Sequence, residues 1–292
     1  MNKVAVVGAG SMGRQIALHC AIKGLDVSLF DLSGEVLSGA KEFSEHYLAS
    51  RVEKNRLTAG ERDAAAMRLR FASSVEDCVN DATVVIEAII EEFQPKAALF
   101  DRLGKLCPPS TILATNSSNI VASRLADVTL APERVINLHF FNPVLVMDLV
   151  EVVLHSRVSP EVERNALEFC REIGRTSIVV RKEVPGFVVN RIYRALTREA
   201  MNLLEGGFAT AEDIDLAVTR GLGHPMGPFH LMDAAGVDVS YLARLDEYQQ
   251  TGDELAKPNA ILEKLYREGR WGKKTGYGFF DYAEPDDHGE HA

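Results

Sequence analysis

One histidine and one glutamate stand where proton transfer could take place. His139 ends an apolar run in the segment Asn137-Leu138-His139-Phe140-Phe141-Asn142-Pro143, and Glu151 lies inside the next apolar run, between Val150 and Val152. A carboxylate in such a run is costly to bury unless it is paired. If the two are paired, the imidazole can accept a proton while the carboxylate orients the ring and stabilises the imidazolium. A buried structural histidine and a solvent-facing edge-strand glutamate explain the spacing equally well.

Two polar segments could complete such a site. Thr115-Asn116-Ser117-Ser118-Asn119 ends another apolar run, and Asn190 follows Pro185-Gly186-Phe187-Val188-Val189. Either Ser118 or Asn119 could instead cap a helix N-terminus. Asn190 could equally lie on a helix surface or bond between domains, so neither segment decides the function alone.

A glycine-rich segment indicates a cofactor. Gly8-Ala9-Gly10-Ser11-Met12-Gly13 has the spacing GxGxxG, and it lies between the apolar run Val4–Val7 and a helical pattern from Arg14 to Lys23. The first glycine permits a tight turn, the second lets the backbone approach a pyrophosphate, and the third allows close helix–strand packing. The helix N-terminus supplies free N–H donors. The alternative is three glycines that only end a strand tightly.

Asp31 refines the cofactor prediction. It ends the second apolar run, 18 residues after Gly13 (31 − 13). A carboxylate there can accept hydrogen bonds from both ribose hydroxyls and repels a 2′-phosphate. The pattern therefore favours NAD over NADP, although FAD uses the same glycine fingerprint.

These residues need a sheet to position them. β-branched runs alternate with helical patterns at Val4–Val7, Val27–Phe30, Thr83–Ile86, Thr111–Ala114, Val135–His139, Leu149–Leu154 and Ser177–Val180. The runs are continuously apolar, which is typical of parallel strands covered on both faces. The sequence predicts an α/β Rossmann-type doubly wound sheet, whose ligands bind at the carboxyl ends of the strands.

Two regions depart from this alternation. The segment of residues 35–70 is too long for one crossover connection and is rich in helix formers. It predicts a helical hairpin that projects from the sheet. After Pro185-Gly186 only helical periodicity remains, as far as about Arg270. We predict an NAD-binding Rossmann domain over residues 1–184 and an all-α C-terminal substrate and dimerisation domain over residues 185–292.

Composition excludes several classes of protein. The chain has 292 residues, of which 46% are hydrophobic, and its 32 basic and 42 acidic residues give a net charge of −10. This charge disfavours nucleic acid and anionic membranes as partners. The four cysteines have no metal-ligand spacing, and the apolar start indicates a buried strand rather than a signal peptide. We expect no metal and a cytoplasmic protein.

Seven segments together resemble one family, the short-chain L-3-hydroxyacyl-CoA dehydrogenases, including the bacterial 3-hydroxybutyryl-CoA dehydrogenases. In the family's order they are VAVVGAGSMGRQIA, VVIEAIIEE, ATNSS, HFFNPVLVMDLVEVV, PGFVVNRI, HPMGPFHLMD and KKTGYGFFDY. The resemblance implies NAD-dependent interconversion of (S)-3-hydroxyacyl-CoA and 3-oxoacyl-CoA. It also implies a homodimer that forms through the helical domain.

The resemblance assigns roles by position. His139 matches the catalytic base and Glu151 its partner carboxylate. Ser118 matches the serine that contacts the substrate hydroxyl, and Asn190 the asparagine near the substrate carbonyl.

Binding residues follow in the same way. Glu91 and Lys96 match positions that contact the cofactor, and Lys54 in the hairpin matches a lysine that reaches the CoA phosphates. Arg51 and Arg56 are added to the CoA site from their charge alone. The remaining predicted binding residues are Ser11, Met12, Asn116 and Ser118 for the cofactor and Asn142 for the substrate.

Some positions depart from the family pattern. Asn119 ends a segment that usually reads Asn-Thr-Ser-Ser. Leu145 replaces a common proline, Asp148 a frequent basic residue, and Tyr47 lies near the position of a CoA-contacting serine. These departures affect chain-length preference and CoA contacts rather than the core chemistry.

Two other functions compete with this one. The first is a dehydrogenase of free hydroxy acids, such as the gulonate-type relatives of the fold. The second is an NAD-binding protein without catalysis. Lys54 and the segment around His139 favour a CoA ester, and the full set of polar site residues argues against a pure binding protein.

Overall fold

The computed structural model describes residues 3–282 and divides the chain into two compact units between Val188 and Val189. The predicted second domain runs to residue 292, and its last ten residues, 283–292, lie outside the described part.

The first unit is built on one eight-stranded sheet. Its strands are β1 (Lys3–Val7), β2 (Asp26–Phe30), β3 (Leu69–Phe71), β4 (Val84–Glu87), β5 (Ile112–Thr115), β6 (Val135–Phe140), β7 (Leu149–Val153) and β8 (Thr176–Val180). Their spatial order is β3-β2-β1-β4-β5-β6-β7-β8. All pairs are parallel except β6 with β7. The doubly wound sheet is confirmed, with one antiparallel pair that the apolar runs did not indicate.

Helices cover both faces of this sheet. They are α1 (Ser11–Ile22), α2 (Gly34–Glu53), α3 (Ala59–Arg68), α4 (Val75–Val79), α5 (Phe93–Leu106), α6 (Ala122–Ala126) and α7 (Pro160–Glu172). Alternate residues of β1 enter opposite cores, Val4 and Val6 on one face and Ala5 and Val7 on the other. Because both faces are buried, the strands read as continuous apolar runs.

The predicted helical hairpin is formed by α2 and α3. Ser33 caps α2, and Thr58 with Glu61 forms a capping box at the start of α3. The buried residues Ala40, Leu48 and Ala65 join the same core as α1. One face of the hairpin therefore packs against the rest of the Rossmann unit. The expectation that the hairpin projects freely from the sheet is wrong, because this face is buried.

The second unit is helical. It contains α8 (Val189–Glu205), α9 (Ala211–Gly221), α10 (Pro228–Ala235), α11 (Val237–Thr251) and α12 (Ala260–Arg267) around a core that includes Phe229 and Met232. The buried carboxylate of Asp233 accepts hydrogen bonds from the backbone N–H groups of Phe279 and Phe280, both at 3.0 Å. These bonds fasten the last described segment to α10 and satisfy both oxygens of the buried carboxylate.

No helix among residues 3–282 combines the length and the apolarity that crossing a membrane requires. In the same part of the chain, His, Cys, Asp and Glu side chains form no cluster of three that could hold a metal ion.

Candidate active site

The three glycines of the loop after β1 are explained by different structural requirements. Gly8 has φ +107°, and a Cβ there would lie 2.4 Å from the Ala88 carbonyl oxygen. A Cβ on Gly13 would lie 1.8 Å from the Gly8 carbonyl oxygen. Both glycines are therefore required by the fold itself. A Cβ on Gly10 would meet nothing within 4 Å, so the protein leaves open the space that a close ligand needs.

The first turn of α1 offers free donors beside this open space. Gly10 is the N-cap, it makes no side-chain cap bond, and the first turn holds no acidic residue. Ser11 is exposed there, whereas Met12 packs partly against the core. Uncapped N–H groups and the partial positive charge of a helix N-terminus favour a bound anion.

Asp31 lies beside the same loop. Its Oδ2 accepts a hydrogen bond from the backbone N–H of Ala9 at 2.7 Å, and its Oδ1 accepts one from Ser33 N–H at 2.9 Å. Each carboxylate oxygen keeps acceptor capacity for hydroxyl groups. The open position at Gly10, the uncapped α1 and the anchored Asp31 together fit the pyrophosphate and ribose of a dinucleotide.

A buried ion pair that sequence reasoning missed supports the neighbouring strand end. Glu87, the last residue of β4, is fully buried, and its Oε1 lies 2.6 Å from Lys96 Nζ. Its Oε2 accepts a hydrogen bond from Thr115 Oγ1 at 2.7 Å. A charged residue closing the apolar run Val84–Ile86 was the available signal. A related signal, a charged residue inside an apolar run, drew attention to Glu151.

This ion pair places the Lys96 ammonium in the protein interior. The residue is 1% exposed, and Lys96 Nζ also lies 3.2 Å from Glu91 Oε2. Two carboxylates therefore compensate the ammonium, which is enclosed rather than open to a phosphate. From this position Lys96 holds Glu91, whose side chain is 41% exposed.

The loop after β5 is organised by Ser117 rather than by Ser118. Ser117 Oγ bonds to Glu91 and accepts hydrogen bonds from the N–H groups of Asn119 and Ile120, at 3.2 and 2.7 Å. The next helix, α6, has Val121 as its N-cap and no side-chain cap bond. The alternative that Ser118 or Asn119 caps a helix is therefore wrong.

Ser118 is left available by this arrangement. Its side chain is half-buried and makes no hydrogen bond to any residue between 3 and 282. The preceding Asn116 accepts a hydrogen bond at Oδ1 from Phe140 N–H at 2.9 Å, which ties the loop to the end of β6. Ser118 and His139 therefore belong to the ends of adjacent parallel strands.

His139 and Glu151 form a buried pair. They occupy directly opposite positions on the antiparallel strands β6 and β7. His139 Nδ1 lies 2.7 Å from Glu151 Oε2, and the two residues are 5% and 0% exposed. The alternative of a solvent-facing glutamate is wrong. With Nδ1 engaged, Nε2 is the ring nitrogen that remains for a reacting group.

Neighbouring groups fix both members of the pair. Val188 N–H donates to Glu151 Oε1 at 3.0 Å. The rings of Phe141 and Phe187 meet the imidazole edge-on, with centroids 4.6 and 5.4 Å away. The imidazole is thus held in orientation by one carboxylate and two apolar walls, which is the arrangement that a positioned general base needs.

The other predicted residues lie apart from this pair. Asn142 is exposed, and its Oδ1 accepts a hydrogen bond from Gln15 Nε2 of α1 at 3.3 Å. Arg51, Lys54 and Arg56 lie where α2 ends and the turn to α3 begins. Asn190 is half-buried in the first turn of α8, in the helical unit.

Comparison with known proteins identifies the family of the chain. Residues 3–184 match the family "3-hydroxyacyl-CoA dehydrogenase, NAD binding domain", and residues 186–282 match "3-hydroxyacyl-CoA dehydrogenase, C-terminal domain". The chain is 36% identical over 284 residues to the probable 3-hydroxybutyryl-CoA dehydrogenase of Bacillus subtilis, covering 97% of this chain and 98% of that protein.

A human relative and a solved structure give similar values. The chain is 36% identical over 289 residues to the human mitochondrial hydroxyacyl-coenzyme A dehydrogenase, and the matched region covers 97% of this chain and 91% of that protein. The crystal structure of (S)-3-hydroxybutyryl-CoA dehydrogenase from Ralstonia eutropha superimposes with a TM-score of 0.88 at 32% identity, covering 97% of this chain and 100% of that one. The chain therefore belongs to the 3-hydroxyacyl-CoA dehydrogenase family, of which it carries both the NAD-binding and the C-terminal domain.

Proposed function

We infer that the protein is an NAD-dependent dehydrogenase that interconverts (S)-3-hydroxyacyl-CoA and 3-oxoacyl-CoA, with 3-hydroxybutyryl-CoA and acetoacetyl-CoA as its short-chain pair. The observation that carries this function is the buried His139–Glu151 pair at the end of β6, in a chain whose family binds NAD. Relatives named 3-hydroxybutyryl-CoA dehydrogenase support the short acyl chain.

His139 would act as the general base. Its Nε2 would take the proton of the 3-hydroxyl group during oxidation and return it during reduction, while Glu151 holds the ring by Nδ1 and offsets the imidazolium charge. NAD, when bound, supplies the hydride acceptor in its nicotinamide ring. Gly10, the first turn of α1 and Asp31 would hold its pyrophosphate and ribose, with Glu91 and Asn116 beside them.

Ser118 and Asn190 would orient the substrate. The hydroxyl of Ser118 is uncommitted among the described residues and would hydrogen-bond the reacting oxygen. Asn190 would donate its amide N–H to the thioester carbonyl. Both contacts would fix the carbon that loses hydride, so their contribution is positioning rather than proton transfer.

The CoA phosphates would bind at the tip of the helical hairpin. Lys54 and Arg56 are exposed, and Arg51 is half-buried, with its guanidinium 5.5 Å from the centre of the Tyr47 ring. None of the three makes an ion pair with another described residue. An uncompensated group of three cations suits phosphates in a protein that is acidic as a whole.

The two competing functions make different predictions. A dehydrogenase of free hydroxy acids has no use for the cationic hairpin tip. A non-catalytic NAD-binding protein has no use for a buried imidazole–carboxylate pair, because burying such a pair costs desolvation. Both features are present in this chain, which is why we favour the CoA ester and catalysis.

A homodimer through the helical unit belongs to the same proposal. That unit exposes large apolar side chains, including Leu216 (56%), Leu222 (66%) and Leu242 (49%). Contact with a second copy would remove such groups from water. Sedimentation at micromolar concentration should give twice the chain mass of 32.1 kDa, and a monomer would contradict the dimer.

We place the enzyme in the cytoplasm. Cys20, Cys78, Cys107 and Cys170 are all free and buried, a state that suits a reducing compartment. Burial raises the pKa of the Cys20 and Cys170 thiols to about 12, which keeps them unreactive. Cell fractionation followed by the activity assay tests the location, and activity in an oxidising compartment would contradict it.

A direct assay tests the function. Purified protein is mixed with NADH and either acetoacetyl-CoA or free acetoacetate, and the absorbance of NADH is followed. We expect rapid oxidation with the CoA ester and little with the free acid. Equal rates would favour a free hydroxy-acid dehydrogenase, and failure with acetoacetyl-CoA and its longer 3-oxoacyl homologues would favour a non-catalytic protein.

A further inference from the structure

An arginine-rich cavity of about 300 Å³ lies within the helical unit, between α8 and α11. The charged residues of its wall are Arg191, Arg194, Arg198, Arg244, Glu247 and Asp253. Four arginines and two carboxylates give this wall a net charge of +2 (4 − 2), although the chain as a whole carries −10. None of the residues that we assign to NAD, to CoA or to the reacting group lines the cavity. The proposed function therefore leaves it unused.

Helical spacing brings the arginines of α8 together. Arg191, Arg194 and Arg198 follow one another at intervals of three and four residues, so their side chains lie on one face of the helix. On α11, Arg244 faces the same cavity. Like charges at these spacings destabilise a helix unless an opposite charge compensates them.

The carboxylates of the wall leave most of the arginines uncompensated. Arg194 pairs with Glu247, with 2.7 Å between Nη1 and Oε2. Asp253 Oδ1 accepts a hydrogen bond from the backbone N–H of Leu255 at 3.0 Å. The other three arginines of the wall make no ion pair with any residue between 3 and 282. Their guanidinium groups keep donors for another acceptor.

Arg244 is the buried member of the group. It is 9% exposed, and its Nη2 donates a hydrogen bond to Thr197 Oγ1 of α8 at 2.8 Å. Burial lowers the pKa of Arg244, and the charges of Arg198 and Arg194 lower it further. A buried guanidinium beside two like charges is costly, and a bound anion would relieve that cost.

The dimer that we propose involves other side chains of the helical unit. Leu216 and Leu222 belong to α9 and the residue after it, and neither lines the cavity. Leu242 precedes Arg244 by two residues of α11, a rotation of about 200° around the helix axis. The cavity and Leu242 are therefore on opposite sides of α11.

We propose that this cavity binds a phosphoryl group with two negative charges, either as inorganic phosphate or as a small phosphate monoester. Such a group matches the net charge of +2 on the wall, whereas a single carboxylate would leave an excess of positive charge. Arginine forks pair with the oxygens of phosphate through two parallel hydrogen bonds, and three unpaired arginines can surround one tetrahedral group. The cavity volume lies at the lower end of the range for small-ligand sites, which suits a compact ligand.

Binding of phosphate tests the proposal. The purified full chain is titrated with sodium phosphate in a calorimeter, with sodium chloride adjusted to keep the ionic strength constant. We expect one site per chain with a Kd on the order of 1 mM or tighter. At ten times the Kd, phosphate should raise the melting temperature by about 3 °C over chloride alone.

A monoester identifies the source of the phosphoryl group. Glycerol phosphate is titrated in the same way. Tighter binding than inorganic phosphate would assign the site to phosphate esters, and weaker binding would assign it to the free ion. Both results support a phosphoryl site. Stabilisation by chloride equal to that by phosphate, or the absence of phosphate binding, would overturn it.

Substitutions locate the site. Arg198→Leu should weaken phosphate binding by about tenfold or more, the effect of one hydrogen-bonded charge, and Arg198→Lys should restore part of it. In chloride, Arg198→Leu should melt no lower than the wild type, because it removes a repelling charge. Arg220→Leu, which removes an exposed arginine of α9 outside the cavity, is the matched control and should bind phosphate normally. Equal losses in Arg198→Leu and Arg220→Leu would overturn the proposal.

Activity separates this site from the proposed function. The KM for acetoacetyl-CoA in Arg198→Leu should stay within about twofold of the wild type. A KM raised by tenfold would show that the cavity serves the CoA phosphates, which overturns a separate site. Because phosphate binding is measured without turnover, inactivity of the wild type with acetoacetyl-CoA would refute the proposed function and not the phosphoryl site.

Discussion

His139 and Glu151 face each other across the one antiparallel strand pair of the described sheet, with Nδ1 and Oε2 2.7 Å apart. Opposite residues of such a pair keep a short, fixed separation. The strand register, rather than a flexible loop, therefore sets the geometry between the two groups. Parallel pairing would remove this direct opposition, so the antiparallel direction of β7 is what places the two side chains together.

Glu151→Gln tests the contribution of the carboxylate charge. The amide keeps the shape of the side chain but cannot offset an imidazolium, so we expect kcat to fall by about 10²-fold or more. NADH oxidation with acetoacetyl-CoA measures the fall, and NADH binding followed by fluorescence should be unchanged. A folded variant with wild-type turnover would show that Glu151 has only a structural role.

Gly10→Ala tests whether the open space in the loop belongs to the cofactor. An added Cβ meets no protein atom within 4 Å, so we expect the melting temperature to stay within about 2 °C of the wild type. Because the Cβ would enter the space that we propose for the pyrophosphate, NADH binding should weaken by about tenfold or more. Gly13→Ala is the contrasting variant, since its Cβ would lie 1.8 Å from a backbone oxygen and should damage the fold. Unchanged NADH affinity in Gly10→Ala would refute this assignment.

Asp31→Ala tests the choice between NAD and NADP. Removing the carboxylate removes the repulsion of a 2′-phosphate, so the ratio of kcat/KM for NADPH to that for NADH should rise by about tenfold. Asp26→Ala, at the exposed start of the same strand, is the matched control and should leave the ratio unchanged. If the ratio does not move in Asp31→Ala, Asp31 does not select the cofactor.

The environment of His19 predicts how the free energy of unfolding responds to acid. Its Nε2 lies 2.8 Å from the Ile173 carbonyl oxygen, and Arg175 Nη2 lies 3.0 Å from its Nδ1. Burial, with the charge of Arg175, lowers the pKa of His19 from 6.5 to about 4. Between these values the unfolded chain binds a proton that the folded chain does not. Stability should therefore fall as the pH drops from 6.5 towards 4, by on the order of 3 kcal/mol.

Urea unfolding at several pH values measures this slope. His19→Gln, which keeps a donor and an acceptor at the site, should flatten the pH dependence in that window. An equally steep slope in the variant would show that other groups dominate the acid response.

The sequence predicted those features that depend on local patterns. Continuous β-branched runs predicted the sheet, and the spacing of Gly8, Gly13 and Asp31 predicted the tight loop after β1 and the residue beside it, because both follow from local patterns in the chain. Strand β3 was missed because it is three residues long and has Arg70 at its centre. The hairpin was predicted, but its close packing depends on small residues such as Ala40 and Ala65, which carry little signal.

Contacts between distant segments were not predictable in the same way. The pairing of His139 with Glu151 remained open because the direction of β7 cannot be read from an apolar run. Ser117 and Ser118 are neighbours of the same type, and only the fold distinguishes the one that bonds to Glu91 from the one left free of protein partners within residues 3–282. The hydrogen bond from Arg244 Nη2 to Thr197 Oγ1 joins two helices and has no local signature.

The most direct test of the central claim is a single-turnover measurement with His139→Gln. NADH is bound first, acetoacetyl-CoA is added in excess, and the loss of NADH absorbance is followed in a stopped-flow instrument. In this direction His139 returns the proton, so loss of the positioned acid–base group should slow the step by about 10²- to 10⁴-fold while the affinity for NADH stays within about twofold. A variant that binds NADH normally and oxidises it at the wild-type rate would contradict the assignment of His139 as the catalytic base.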